Sequence, residues 1–365
     1  MFNDIYNQKR VLVTGHTGFK GSWLTTWLLK LGANVIGVSI DIPTRPSMFE
    51  TLKLKEKIDH NILDIRDLTA LRKLISIHKP DFIFHLAAQA IVSRSFIEPV
   101  DTISTNVMGT TNLLESLRGY NKKCTVVFVT SDKCYDNVEW IWGYKETDTL
   151  GGKDIYSGSK GAAELIIKSY YHSFIKGSNY IKIAIGRAGN VIGGGDWAKD
   201  RIVVDTMKAW SQGKAVKIRS PHSTRPWQHV LEPLSGYLLL GEITSKNNNI
   251  NGEAFNFGPN HSDNFSVLEL LNSLEAKWDG INKKAKVEII ENKEKFSEAG
   301  LLKLNCDKSY SYLNWQSNLT FDEALLFIVN WYKPFFNCSK KMFEITLSQI
   351  EEYEKLGLKR KRVWL

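Results

Sequence analysis

Tyr156 and Lys160 have the residue types and the spacing of an acid–base pair. They lie four residues apart in "YSGSKGAAE", so one helical turn would place both side chains on the same face. Free tyrosine has a pKa of about 10 and is a poor base near neutral pH. An ammonium group ~4 Å from the phenolate would contribute about 4 kcal/mol at an effective dielectric near 20, which is roughly three pKa units. The pair could therefore take a proton from a hydroxyl group.

A second acid–base pair follows an apolar run upstream. In "CTVVFVTSDKCYDN" the apolar residues predict a buried strand, and Ser131, Asp132 and Lys133 come directly after it. An acid and a base at a strand end could move protons on one substrate. A surface loop with ordinary charges is the alternative, and the elements around the pair decide between the two.

A glycine-rich turn lies near the start of the chain. "RVLVTG" predicts a strand and "HTGFKGSWLTTWLLKLG" a helix, and Gly15, Gly18 and Gly21 are three residues apart between them. Glycine lets backbone amides approach a pyrophosphate, which then rests on the helix N-terminus. This context predicts dinucleotide binding, with a merely tight turn as the alternative. The cofactor-binding residues expected in the turn are the three glycines with Thr17, Phe19 and Lys20.

Two further segments are expected to bind the adenosine end of that cofactor. Asp41 follows Gly21 by 20 residues, where a carboxylate would accept hydrogen bonds from the ribose and repel a 2′-phosphate. This position favours NAD over NADP, although Arg45 could bind the same phosphate and leaves the preference open. In "NILDIRD", Asp64 and Ile65 are candidates for the adenine edge, and a plain surface turn is the alternative.

The segment "HLAAQA" ends another predicted strand with small residues. They leave room for the cofactor beside the backbone of Leu86, Ala87 and Ala88, and the next residue, Gln89, could face the substrate. His85 and His229 have no partners at metal-ligand spacing, so the sequence predicts no metal site.

Strands and helices alternate through the first half of the chain, which predicts βαβ units and a parallel sheet covered on both faces. The fold class expected is α/β, a Rossmann-type doubly wound parallel sheet with a smaller mixed α/β C-terminal substrate-binding cap. We expect an NAD-binding domain over residues 1–192, to which some later segments return. A nucleotide-sugar-binding domain over 193–340 and a peripheral C-terminal helix and tail over 341–365 complete the prediction.

Composition excludes several classes of protein. The chain has 365 residues, of which 43% are hydrophobic and 24% charged, as is ordinary for a globular protein. It has no apolar run long enough to cross a bilayer and no apolar signal peptide, which predicts no membrane association. Four cysteines without metal spacing are read as reduced thiols of a cytoplasmic protein. The net charge of +9 is dispersed apart from "KRKR" at 359–362, predicted to be a solvated tail, so nucleic acid is not an expected partner.

Several of these strings resemble a known family. "HLAAQ", "TNVMGT", "TSDKCY", "YSGSK" and "GRAGNVIGGGDW", with the glycine turn, resemble the extended short-chain dehydrogenases/reductases that act on nucleotide sugars. Within them, "GHTGFKGSWL", "TSDKCYDNVEWIWGY", "RAGNVIGGGDWAKDRIVVD" and "RPWQHVLEPLSGYLLL" are most similar to 4,6-dehydratases. The likeness runs from about residue 9 to residue 335.

The resemblance implies an NAD-dependent dehydration of CDP-glucose in deoxysugar or surface-glycan synthesis. The sugar would be oxidised at C4 with Tyr156 as base and Lys160 as its partner, lose water across C5 and C6, and be reduced at C6. Ser131 would bind the C4 oxygen and Asp132 would act as the acid. Lys133 would be the C5 base, where dehydratases acting on other nucleotide sugars carry glutamate. Alternatively, Lys133 only positions the substrate, and Tyr135 or water removes the proton.

The resemblance also implies how the substrate and a partner subunit would bind. A nucleoside diphosphate calls for arginines that bind phosphate, with side-chain amides on phosphate or sugar oxygens. The candidates are Asn190, Arg201, Arg219, Arg225 and Asn256, with salt bridges inside the cap as the alternative for the arginines. The helices carrying "TNVMGTTNLLESL" and "YSGSKGAAELIIKSYYHSF" would pair with their copies in a homodimer or higher homo-oligomer.

Two rival functions stay open on the same scaffold. A nucleotide-sugar 4-epimerase or reductase would need Tyr156, Lys160 and NAD, but no acid at Asp132. A non-catalytic nucleotide-binding subunit would be expected to have lost the Tyr–Lys or glycine motif, and both motifs are intact.

Overall fold

The computed structural model describes residues 1–260, 263–278, 286–290 and 301–364, and the account below concerns these residues. Its centre is a parallel sheet of seven strands. The strands are β1 (Arg10–Thr14), β2 (Asn34–Ser39), β3 (Asp59–Ile62), β4 (Phe82–His85), β5 (Cys124–Val129), β6 (Ile181–Ala188) and β7 (Ala254–Phe257).

The spatial order of the sheet is β7-β6-β5-β4-β1-β2-β3. The chain therefore reverses direction across the sheet between β1 and β4, where Thr14 pairs with His85. In doubly wound sheets, ligands bind in the crevice outside the carboxyl ends of the strands at this switch point. The predicted fold class is confirmed, and its topology places the expected cofactor site at the end of β1.

Helices flank the sheet and build the cap. They are α1 (Phe19–Lys30), α2 (Leu68–His78), α3 (Gly109–Leu117), α4 (Ile155–Tyr170), α5 (Ile202–Ser211), α6 (Leu231–Lys246), α7 (Val267–Lys277), α8 (Asp307–Leu313), α9 (Phe321–Phe336) and α10 (Met342–Lys359). Short helical turns span Met48–Thr51, Val92–Ile97, Pro99–Ile103 and Ser104–Met108. Within the described part of the chain, no helix combines the length and the apolarity that a membrane span requires.

The central strands are apolar on both faces because helices cover both sides of the sheet. All six residues of β5 are buried. Val127 and Val129 belong to a core that continues into the aromatic residues of helices α1 and α9, whereas Val126 and Phe128 face a second core with α2 and α3. The strand end that carries Ser131 is therefore fixed from both sides.

The later part of the chain contains short strand pairs as well as segments that return to the large sheet. Val191–Ile192 pairs with Gln228–His229, Thr224–Arg225 with Phe265–Ser266, and Ala215–Ile218 with Lys286–Ile289. By contrast, β7 adds to the sheet edge beside β6, and the buried helix α6 packs on β5 and β6. The boundaries 1–192 and 193–340 stay predictions.

The C-terminal segment is more firmly packed than the peripheral helix and solvated tail expected from sequence. On α10, Glu354 accepts hydrogen bonds from Trp27 Nε1 at 2.9 Å and from Lys30 Nζ at 2.7 Å. Trp364 stacks on Phe2 with ring centres 5.7 Å apart. Of the basic run, Arg360 pairs with Glu323 at 2.7 Å and Arg362 donates to the Ser317 carbonyl at 2.6 Å. Lys359 and Lys361 are exposed, as expected. The contacts of the two arginines could not be anticipated, because the carbonyls and carboxylate that bind them lie some 40 residues earlier in the chain.

Candidate active site

The turn between β1 and α1 requires glycine for steric reasons. Gly15 has φ +76°, and a Cβ there would lie 2.8 Å from the Ala87 nitrogen. A Cβ on Gly21 would lie 2.1 Å from the Gly15 carbonyl oxygen. Because Gly18 gives α1 no side-chain cap, the first amides of the helix are available to an anion. This cradle fits the pyrophosphate of a dinucleotide.

Residues at the ends of β2 and β3 flank that turn. The Thr17 hydroxyl donates to the Asp41 carbonyl at 2.7 Å, and the Asp41 side chain is exposed. Its carboxylate is thus available to the ribose hydroxyls of a cofactor. Asp64 is instead paired with Arg66 at 2.7 Å, and this guanidinium lowers the pKa of the Asp64 carboxyl. Ile65 is buried.

The segment after β4 separates into two parts. Leu86, Ala87 and Ala88 are half-buried beside the glycine turn, and the Ala87 amide donates to the Thr14 hydroxyl at 3.2 Å. Gln89 does not present a free side chain to a substrate, contrary to expectation. Its amide donates to the Ile91 carbonyl at 3.0 Å and to Thr102 Oγ1 at 2.9 Å, and its side-chain oxygen accepts from the Ile91 amide. The Gln89 side chain therefore stabilises the loop in which it lies.

Helix α4 places Tyr156 and Lys160 on one buried face. Its N-cap is Asp154, which accepts hydrogen bonds from the Ser157 amide at 2.9 Å and the Ser157 hydroxyl at 2.6 Å. This cap starts the helix at Ile155, so Tyr156 lies in the first turn. The Lys160 ammonium nitrogen is 6.0 Å from the centre of the Tyr156 ring.

Burial acts on both groups, in opposite directions. It raises the pKa of Tyr156 to about 12, against the opposing effect of a hydrogen bond with Ser131. It lowers the pKa of Lys160 to about 8, against the carboxylate of Glu164. The expected depression of the tyrosine pKa is therefore absent in the protein alone, because burial of the hydroxyl outweighs the effects that lower its pKa. At neutral pH, Lys160 is charged and can stabilise a phenolate as it forms.

The end of β5 turns sharply and buries an acid. The Ser131 hydroxyl donates to Asp132 Oδ1 at 2.9 Å and accepts from the Lys133 amide at 3.3 Å. Asp132 is 3% exposed, and a Cβ on Gly189 of the neighbouring segment would lie 2.9 Å from its Oδ2. Burial raises the pKa of Asp132, and the charge of the half-buried Lys133 opposes this. The turn thus favours the protonated form of Asp132 more than an exposed position would.

Tyr135 is poorly placed to remove a substrate proton. It is 1% exposed, donates to Asn256 Oδ1 at 2.8 Å and accepts from Arg187 Nη1 at 2.6 Å. Burial raises its pKa far above the usual value. The structure therefore gives no support to the alternative in which Lys133 only positions the substrate and Tyr135 removes the proton.

The residues predicted to bind the substrate differ in how exposed they are. Asn190, Arg201 and Arg225 are half-buried and Arg219 is exposed. Arg201 pairs with Asp196 at 3.1 Å. Asn256 has no accessible surface, and its amide donates to the carbonyls of Tyr144 at 2.9 Å and Asn305 at 3.0 Å. We therefore correct the expectation for Asn256, whose side chain binds the protein.

Sequence reasoning missed two buried charges behind the site, Glu164 and Arg187. They form an ion pair in which both side chains are almost fully buried. A signal was present for Glu164, which follows Lys160 by four residues and Tyr156 by eight, on the same helix face. Arg187 interrupts the apolar strand "IKIAIGRA", but its partner could not be identified from spacing.

The sequence of the whole chain is similar to those of known proteins. The sequence model of a family described as GDP-mannose 4,6 dehydratase matches residues 12–326. The chain is 43% identical over 348 residues to the CDP-glucose 4,6-dehydratase of Salmonella typhimurium, covering 93% of this chain and 96% of that relative.

Solved structures share the fold. The dTDP-glucose 4,6-dehydratase of Bacillus anthracis, solved with NAD, has a TM-score of 0.74 at 20% identity, covering 92% of this chain and 99% of that one. The UDP-glucose 4-epimerase of Thermotoga maritima, solved with UDP-glucose, has a TM-score of 0.75 at 23% identity, covering 89% and 99%.

Proposed function

This chain belongs to the GDP-mannose 4,6-dehydratase family, and from that membership we propose that it is an NAD-dependent hydro-lyase acting on CDP-glucose. The product would be CDP-4-dehydro-6-deoxy-D-glucose, an intermediate for the deoxysugars of surface glycans. The observation that carries this proposal is the 43% identity over 93% of the chain to a CDP-glucose 4,6-dehydratase. The buried acid Asp132 supports dehydration over epimerisation, because epimerisation expels no hydroxyl group.

NAD is the cofactor that the residues fit. The turn at Gly15, Gly18 and Gly21 would hold its pyrophosphate, and the exposed Asp41 would accept hydrogen bonds from the ribose. The other residues assigned to it are Thr17, Phe19, Lys20, Asp64, Ile65, Leu86, Ala87, Ala88, Tyr156 and Lys160. When bound, NAD⁺ supplies the oxidation at C4 of the sugar and the later reduction at C6.

Tyr156 would take the proton of the C4 hydroxyl group. Its high pKa makes it a strong base once ionised, and the charge of Lys160 favours that ionisation at neutral pH. Ser131 and Tyr156 would hold the same sugar oxygen between them. The C4 ketone then makes the C5 proton acidic, which prepares the elimination.

Asp132 and Lys133 would perform the elimination. A neutral Lys133 takes the C5 proton, the C6–O bond breaks, and protonated Asp132 gives its proton to the departing hydroxyl group, which leaves as water. Burial favours the protonated form of Asp132, as this role requires.

The cap would bind the nucleotide diphosphate. Arg201, Arg219 and Arg225 supply positive charge at the cap side, and Asn190 follows β6 directly. Arginine suits this task because its guanidinium binds phosphate through two parallel hydrogen bonds. Gln89 and Asn256 are not retained as substrate ligands, since their side chains are engaged within the protein.

We propose a homodimer formed through the apolar face of residues 100–117 and 155–174. Its support is a set of large side chains that remain 44% to 78% exposed in the monomer: Val100, Ile103, Met108, Leu165 and Phe174. We also propose a cytoplasmic location, in which Cys124 and Cys134 stay reduced within the core.

Incubation with NAD⁺ and separate CDP-, UDP-, GDP- and dTDP-glucose tests the proposal. Mass spectrometry should show loss of one water from the CDP sugar, without net formation of NADH. Equal turnover of another nucleotide would contradict the substrate, and an isomer of unchanged mass would contradict the dehydration.

A further inference from the structure

The ion pair of Glu164 and Arg187 lies behind the site and touches each segment that carries a catalytic group. Glu164 is on α4, four residues beyond Lys160, and Arg187 is on β6. Arg187 Nε donates to both carboxylate oxygens of Glu164 at 2.9 Å, and Nη2 donates to Oε2. Both side chains are no more than 3% exposed. Helix and sheet are thus joined by a bidentate pair.

The same pair reaches both sides of the turn that carries Ser131 and Asp132. Before the turn, the Thr130 hydroxyl donates to Glu164 Oε1 at 2.5 Å. After it, Arg187 Nη1 donates to the Tyr135 hydroxyl at 2.6 Å. The Arg187 guanidinium also lies over the Tyr135 ring, 4.7 Å from its centre. One ion pair therefore holds the residues on either side of the turn.

From Tyr135 the hydrogen bonds continue toward the cap. The Tyr135 hydroxyl donates to Asn256, whose amide donates to the carbonyls of Tyr144 and Asn305. The Asn256 backbone amide donates to Glu146 Oε1 at 2.8 Å. These contacts connect the end of β7 and the loop after Tyr135 to the same pair.

Stability alone is a poor explanation for such a pair. Taking two charges out of water costs several kcal/mol per ion, and replacing a buried pair by apolar residues is often neutral or stabilising. The pair instead fixes the relative orientation of the two side chains, because a bidentate carboxylate–guanidinium contact holds both groups in one plane.

We propose that Glu164 and Arg187 are positioning residues, which hold α4 against the β5 turn so that Tyr156 and Lys160 face Ser131 and Asp132. For its kinetic consequences this inference rests on the function proposed above. Neither residue touches the reacting atoms, because both act through Thr130, Tyr135 and the helix itself.

The Glu164 carboxylate also acts on the charge of Lys160. Burial lowers the pKa of Lys160 to about 8, and Glu164 and Cys134 act against that lowering. The titratable groups facing Lys160 from the packed elements are Tyr156 and Glu164 of α4, Cys134 after β5, His85 of β4 and Lys20 of α1. Loss of the Glu164 charge should therefore lower the Lys160 pKa further.

The test uses the double variant Glu164→Gln with Arg187→Met, which removes both charges and leaves no unpaired ion. We expect kcat to fall by about 10- to 100-fold, since a displacement of roughly 1 Å can cost about 10²-fold, while KM for CDP-glucose stays within about twofold. Tyr135→Phe, which keeps the ion pair but removes its link to Asn256, should lower kcat less and also spare KM.

Glu354→Gln is the matched control, because Glu354 is a buried, paired carboxylate on α10 that contacts Trp27 and Lys30. It should lower the melting temperature and leave kcat unchanged. An unchanged kcat in the folded double variant, or a loss equal to that of Glu354→Gln, would overturn the inference. If the double variant does not fold, an unchanged kcat in Tyr135→Phe has the same meaning.

A second readout needs no substrate. In protein labelled with ¹³C at lysine Cε, the Lys160 resonance is identified by its loss in Lys160→Met, and its titration midpoint is followed by NMR. Glu164→Gln should titrate at a lower pH than the wild type, because it removes the carboxylate that acts against the lowering of the Lys160 pKa; an unchanged midpoint would contradict the inference. If the wild type dehydrates no nucleotide sugar, the proposed function fails, and this titration still decides the role of the pair.

Discussion

Replacing Lys160 by methionine should slow proton removal by Tyr156 about 100-fold at pH 7. The ammonium nitrogen lies 6.0 Å from the Tyr156 ring centre. At an effective dielectric of about 20 this separation corresponds to about 3 kcal/mol, or about two pKa units of the tyrosine. Methionine keeps the bulk of the side chain and removes only the charge.

The sign of the pH dependence follows from the Lys160 pKa of about 8, which is below that of free lysine. Lys160 is charged below this pH and neutral above it, so its help to Tyr156 is present at pH 7 and is lost as the pH rises through 8. The ratio of wild-type to variant kcat should therefore be largest near pH 6.5 to 7 and shrink toward pH 9.5.

The assay is product formation from CDP-glucose, measured by chromatography at each pH. Lys168→Met is the matched control, because Lys168 is an exposed lysine on the same helix and should leave the profile unchanged. A ratio below about five at pH 7, or a ratio constant across the whole pH range, would refute the reasoning.

Three further results are expected. Asp132→Asn should allow oxidation at C4 but block water loss, so that CDP-glucose produces a stable absorbance of reduced nicotinamide; full dehydration by the variant would remove Asp132 from the mechanism. Gly21→Ala should abolish NAD⁺ binding in a calorimetric titration, since its Cβ would lie 2.1 Å from the Gly15 carbonyl oxygen, and unchanged affinity would contradict the cradle. Asn256→Ala should lower the free energy of unfolding by about 1–3 kcal/mol by leaving buried partners unsatisfied, as measured by denaturant titration. A raised KM without loss of stability would instead return Asn256 to the substrate site.

Features that depend on neighbouring residues could be predicted from the sequence. The glycine turn needs only the strand before it and the helix after it, and both lie within about 20 residues. Alternating strands and helices gave the parallel sheet for the same reason. Tyr156 and Lys160 share a helix face because their spacing alone determines it.

Features that depend on contacts between distant residues could not be predicted from the sequence. Gln89 and Asn256 have side chains suited to a sugar, but Thr102 and the carbonyl of Asn305 bind them first. The predicted direction of the Tyr156 pKa shift was wrong, because residue spacing indicates which charges lie nearby but not how deeply the hydroxyl group is buried. The partnership of Glu164 with Arg187 depends on α4 packing against β6, which spacing within either element does not reveal.

Conversion of CDP-glucose carrying deuterium at C4 tests the central claim most directly. The account predicts a product that has lost one water, with the deuterium found by NMR at C6 and a solvent-derived hydrogen at C5. Deuterium that remains at C4 of a sugar of unchanged mass would show epimerisation, and would contradict elimination by Asp132 and Lys133.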